Sequence, residues 1–116
     1  MQMQFLTELH DSSQTSLNEL QALFKQYQAA AFPARSPEFF CLELCGEAGE
    51  LANLEKKRWK GKSIDDERFC DEAADVFIAL MNYSNARGLC LGDAVREKLQ
   101  RIEKKRVRLE EQGEVY

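Results

Sequence analysis

Strand signals are missing from this chain. Nowhere in its 116 residues does an apolar/polar alternation persist, and no Asn-Gly or Asp-Gly pair marks a hairpin. An all-α fold is therefore the expectation. No stretch approaches the roughly 18 uninterrupted apolar residues of a membrane span. The opening MQMQFLTELHDSS has neither the basic start nor the apolar run of a secretion signal, so a cytoplasmic protein without membrane attachment is expected. Basic charge is not in excess: 16 Lys and Arg stand against 20 Asp and Glu, a net charge of −4. That balance disfavours a general binder of nucleic acid polymers or anionic membranes. There is no CxxC and only one histidine, His10, so Cys41, Cys45, Cys70 and Cys90 fit no common zinc module. They read as reduced thiols used as small buried hydrophobes.

What is present is helical periodicity on a length that suits one domain, residues 1–116 with a core over about 14–110. Leu17, Leu20, Leu23, Phe24 and Tyr27 recur at helix spacing over about 14–31, and FPARSP interrupts the pattern through Pro33 and Pro37. Ser36 before Pro37 predicts the start of a second helix, about 37–58. WKGKSIDD reads as a loop, and Asp65 or Asp66 predicts the cap of a third helix ending near Arg87 with Gly88 behind it. A fourth, about 91–112, carries Val95, Leu99, Ile102 and Leu109. The termini MQMQ and EEQGEVY read as frayed. These elements make a four-helix antiparallel bundle-type subunit.

The acidic residues of ELCGEAGE and EAAD stand in some of the most apolar sequence of the chain. Glu43, Glu47 and Glu50 fall within an arc of roughly 60° on the second helix. On the third, Asp75 is the only polar residue between Glu72 and Asn82. A polar strip that narrow, on a helix joined by a short loop to another acidic strip, is expected to face that strip. Facing carboxylates repel, so they require protons, basic partners or cations. Oxygen ligands at i/i+3 on two helices suit a hard ion, Mg²⁺ or Mn²⁺, presented to phosphate. Lys56, Lys57, Arg58, Lys60 and Lys62, with Lys98, Arg101, Lys104, Lys105 and Arg106 of the fourth helix, are available to take up remaining phosphate charge. KKRWKGK reads equally as a solvated helix end with cations on its dipole. Trp59 is open to packing or base stacking, and Asn82 to an interhelical hydrogen bond. Gly46 and Gly49 inside a helix suggest close approach of a backbone or ligand.

The run LELCGEAGELANLEKK, a variable loop, then DEAADVFIALMNYSNARGLCLGDAVREKL resembles the MazG-like all-α nucleotide pyrophosphohydrolases. That superfamily also includes dimeric dUTPases and phosphoribosyl-ATP pyrophosphohydrolases. Glu47, Glu50, Glu72 and Asp75 fall on its ExxE–spacer–ExxD signature with 21 residues between the pairs, and the likeness runs from about Leu17 to Arg106. The resemblance implies hydrolysis of a nucleoside triphosphate to monophosphate and pyrophosphate, with Mg²⁺ held by those four carboxylates in the service of nucleotide-pool cleansing. It implies catalytic places for Glu43 and Glu47, Glu43 either orienting water or supporting the metal ligands from behind. It gives phosphate contact to Lys57, Lys60 and Lys98, sugar or base contact to Asn82, Phe32 and Trp59, and a homodimer or homotetramer. An Asn common in relatives near the last-helix Lys has no counterpart in 91–112. The alternatives are dUTP or phosphoribosyl-ATP hydrolysis, and a helical interaction module without chemistry.

Overall fold

The computed structural model describes residues 2–116, with side chains from Gln4 onward. Four helices account for nearly all of it: α1 Gln2–Ala31, α2 Pro37–Trp59, α3 Asp66–Arg87 and α4 Leu91–Glu111, with no strand among the described residues. None of these helices is long and apolar enough to cross a membrane.

The described residues fall into two compact units, one of them continuous, Phe24–Gly88. Its centre is a hairpin of α2 and α3. Ser36 caps α2 by accepting a hydrogen bond from the Phe39 N–H at 3.2 Å, with Pro37 at the first helical turn. Asp65 occupies the N-cap position of α3, yet its side chain makes no capping bond. Arg58 holds the turn between them. Its guanidinium donates to the Ile64 carbonyl and, at 2.9 Å, to Asp66, and lies 4.1 Å from the centre of the Phe69 ring. At the far end Arg87 meets Glu38 at 3.5 Å. The end of α2 therefore meets the start of α3, and the start of α2 meets the end of α3. Gly88, at φ 73°, closes α3 in the left-handed conformation that a side chain would resist. Phe40, Leu54, Ala79 and Met81 form the buried apolar core, and all four lie on α2 and α3.

The other unit joins the part of α1 ending at Leu23 with Leu89–Tyr116. Buried Gln21 stands in for the missing side-chain cap of α4: its Oε1 accepts from the Leu91 N–H at 3.0 Å while its Nε2 donates to the Leu89 carbonyl at 2.6 Å. Gln14 donates to Asp93 at 2.9 Å and accepts from Arg96. The two helices approach closely at buried Gly92. A Cβ there would sit 2.8 Å from the Gln14 carbonyl oxygen and nearer still to Asn18 Oδ1. A backbone oxygen has little room to yield, so Gly92→Ala is expected to destabilise by about 1–3 kcal/mol in chemical denaturation. An unchanged midpoint would show that α1 and α4 do not approach this closely.

Several expectations need correction. α1 begins at Gln2, not near residue 14: Phe5, Leu6 and Leu9 carry its apolar spacing on through Asp11-Ser12-Ser13, which looked like a cap but lies mid-helix. The C-terminus is less frayed than expected. Gly113, at φ 73°, lets its own N–H reach the Glu110 carbonyl and the Glu114 N–H reach that of Leu109, a paired closure of α4. All four cysteines are exposed free thiols rather than buried ones: Cys41, Cys45 and Cys70 lie on the outer surfaces of α2 and α3, and Cys90 precedes α4, its thiol donating to Asn18 at 3.1 Å. Gly46 and Gly49 likewise face open space, with nothing within 4 Å of where a Cβ would be. On α3 burial is confined to Ala79, Met81, Asn82 and Ser84, whereas Ala73, Ala74, Phe77 and Ile78 remain exposed.

Candidate metal centre and adjoining cavity

Helix geometry places Glu43, Glu47 and Glu50 on one side of α2, while Glu72 and Asp75 lie one turn apart on α3. The antiparallel packing brings the two sets together. One carboxylate oxygen from each of Glu47, Glu50 and Glu72 lies within 4.8 Å of the other two. At that separation each pair of charges costs on the order of 3 kcal/mol at an effective dielectric near 20, before solvent reaches the exposed side.

Glu47 and Glu72 are half-buried and Glu50 is exposed. One oxygen of Glu47 and one of Glu72 are sealed from solvent without a hydrogen-bond donor. Desolvation pushes the Glu47 carboxyl up to about 7, helped by its contact with Glu72 and by the charges of Asp75, Glu50 and Glu72. Glu72 is also raised, first by desolvation and then by its contact with Glu50 and the charges of Glu50 and Asp75. The Glu47–Glu72 contact raises the first and lowers the second, so without an added cation the shared proton belongs to Glu47. The chain supplies crowded oxygen ligands and places further carboxylates around them. A divalent cation held there would satisfy the sealed oxygens and remove the repulsion in one step.

One turn before Glu47, Glu43 lines a cavity of about 450 Å³ between aromatic walls that include Phe24, Phe32 and Phe39. Asn82 lines it too, only 8% exposed and with its Oδ1 sealed and unpartnered. A second cavity of about 290 Å³ shares Phe32, Arg35 and Asn82 and adds Lys25 and Asn85.

The structure thus groups Glu47, Glu50 and Glu72, keeps Asp75 close enough for its charge to act on two of them, and groups Glu43, Phe32 and Asn82 around the cavity. Lys57, Trp59 and Lys60 lie elsewhere. They occupy the opposite end of α2, Trp59 being 89% exposed and roughly 13 Å beyond Glu50 at 1.5 Å per residue. Trp59 and Phe32 therefore lie toward opposite ends of the α2–α3 hairpin. Arg58 of the basic run is engaged in the turn. Lys98 is exposed on α4, in the other unit. Lys25 and Arg35 were not singled out from the sequence. Arg35 lies between Pro33 and Pro37 and stacks 4.9 Å from the Phe39 ring centre, and its place between two helix breakers was the available signal.

Comparison of the chain with family models, with curated proteins and with solved structures gives no match.

Proposed function

We propose that this chain is a Mg²⁺-dependent nucleoside triphosphate pyrophosphohydrolase, of the kind its two acidic motifs resemble. One observation carries the reading: three carboxylates within 4.8 Å, with an oxygen of Glu47 and one of Glu72 sealed and without a donor among the described residues, lie one helical turn from a residue lining an aromatic cavity. In this reading Glu47, Glu50 and Glu72, with Asp75 beside them, hold the ion, Mn²⁺ serving as well as Mg²⁺. When bound, the ion supplies positive charge against the phosphate oxygens and the departing pyrophosphate. Glu43, on the cavity side of the cluster, orients the attacking water toward the α-phosphorus. Phe32 and Asn82 receive the nucleoside. The phosphates then run along α2 toward Lys57 and Lys60, whose ammonium groups draw off the leaving pyrophosphate.

Homodimer or homotetramer formation belongs to the same proposal. Ala73, Ala74, Phe77 and Ile78 form an exposed apolar stretch of α3 that a second copy would cover. Light scattering is expected to give at least twice the 13.4 kDa chain mass.

The decisive experiment incubates the full chain with a panel of deoxynucleoside triphosphates and Mg²⁺ and measures pyrophosphate. Release that stops on chelation is expected. Neither release nor a Mg²⁺-dependent rise in the unfolding temperature would favour a non-catalytic interaction module instead, since an ion that binds only the native state must stabilise it.

A further inference from the structure

We infer that the smaller cavity is an anion site in which Lys25 and Arg35 hold a phosphate monoester carried on a flat, apolar body. The site needs no metal and stands whether or not the chain hydrolyses triphosphates.

Charge is the first observation. Among the residues lining this cavity of about 290 Å³, only Lys25 and Arg35 carry charge, and both are cations. Glu43 lines the larger cavity but not this one. Neither cation forms an ion pair among the described residues, whereas Arg58, Arg87 and Arg106 each meet a carboxylate. Two cations lining one void repel each other, and a phosphate between them replaces that repulsion with charge-assisted hydrogen bonds.

Arg35 is also placed in advance. Pro33 and Pro37 restrict the backbone on either side of it, and its guanidinium lies 4.9 Å from the centre of the Phe39 ring. Stacking occupies the face of the guanidinium and leaves its N–H edge for a forked contact with phosphate oxygens. Less side-chain freedom is then lost on binding.

The rest of the wall describes what carries the phosphate. Phe32 and Phe40 are apolar, and Phe32 meets Tyr27 edge to face at 5.6 Å, a surface suited to a planar group. Gln28, Asn82 and Asn85 add amides. Asn82 is 8% exposed and its Oδ1 is sealed without a donor, so its desolvation is not offset within the described residues. A phosphate oxygen cannot donate to that acceptor; the body carrying the phosphate can. Asn85 is 10 positions past Asp75 on α3, about 15 Å along the helix at 1.5 Å per residue. The phosphate at Lys25 and Arg35 is therefore not one held at the carboxylate cluster.

The test titrates the metal-free full chain, by backbone chemical shift, with phenyl phosphate and with phenol. Phenyl phosphate is expected to bind at least about tenfold more tightly, since charge-assisted contacts separate the two probes, and to move the signals of Lys25, Arg35 and Asn85. Arg35→Gln and Lys25→Gln, both at exposed positions, should each weaken phenyl phosphate at least about fivefold and leave phenol unchanged. Lys104→Gln, an exposed lysine of the other unit, should change neither. Equal binding of the two probes, a phosphate preference untouched by both cavity substitutions, or an equal loss in the Lys104 variant overturns the inference. Adenosine 3′,5′-bisphosphate set against adenosine 5′-monophosphate then separates the sources of the phosphate. Tighter binding of the bisphosphate, lost in Arg35→Gln, assigns the site to a second phosphate on the nucleotide itself. Equal binding of the two nucleotides, with the phenyl phosphate preference intact, assigns it to a phosphate monoester that binds by itself.

Discussion

Glu47→Gln is expected to lower pyrophosphate release at least about a hundredfold while making the metal-free protein more stable. Loss of one supporting residue around a metal already costs 10- to 100-fold in comparable sites, and removal of a ligand should cost no less. The gain in stability has a separate cause. At pH 8 Glu47 is ionised beside Glu50, Glu72 and Asp75, with one oxygen sealed from water. A neutral amide of the same shape removes that repulsion. Allowing for screening by the open side of the site, the gain is on the order of 1 kcal/mol, about 3–6 °C in unfolding temperature for a chain of this size. At pH 5 the difference should vanish, since Glu47 then carries a proton. Retained hydrolysis, or a variant less stable than the parent at pH 8, would remove Glu47 from the site. The opposing directions matter because an ordinary folding defect lowers both quantities together.

The second large effect links pH and Mg²⁺. Glu47 has its folded carboxyl raised from 4.5 to about 7. Its contribution is thus fully present below about pH 4.5 and is lost as pH rises through about 7. Glu72, raised by the same neighbours, acts in the same direction. Asp93 and Glu103 are lowered, by hydrogen bonds from Gln14 and Arg106 respectively, so their contributions are lost only as pH falls below the usual carboxylate range. Metal-free stability should accordingly decline between mildly acid and neutral pH, where most small domains hold steady or gain. Mg²⁺ should reverse the decline. Its affinity is expected to climb by up to about tenfold per pH unit below about 7 and to level off above it, as binding ceases to displace the Glu47 proton. Calorimetric titrations at several pH values measure this directly. An affinity independent of pH between 5 and 8 would place the ion elsewhere.

Helix order and most boundaries were legible in the sequence because they rest on local chemistry. Ser36-Pro37 marks a start and Gly88 an end wherever they occur, and the structure uses both. The beginning of α1 was not legible, since Asp11-Ser12-Ser13 resembles a cap and only the continued spacing of Phe5, Leu6 and Leu9 argues against it. The acidic pairs could be singled out because each lies on one helix at i/i+3. That they meet depends on register, which no single helix encodes. The cavity was the least legible part: Phe24, Tyr27, Arg35 and Glu43 come from three segments, and nothing in their spacing announces a shared void. Cysteine exposure was misjudged for a related reason. Residue type indicates a preference for burial, but it does not tell which positions the packing of the helices will cover.

The two compact units also differ in when they can be completed during synthesis. Phe24–Gly88 is one uninterrupted stretch, its turn is pinned by the Arg58–Asp66 pair, and Glu47 and Asp75, the farthest apart of the four proposed ion-holding carboxylates, are 28 positions apart. Contacts of such short sequence separation close quickly. Once this stretch has left the ribosome, every acidic residue of the site is available to assemble. The unit built from the two ends of the chain must wait for α4, because Gln14, Asn18 and Gln21 bond to residues 89–96, which are made late. The order of synthesis therefore favours a nascent chain in which the acidic hairpin forms first, its charges still unneutralised; on the proposed function, magnesium in the surrounding solution would then act on folding before the polypeptide is finished.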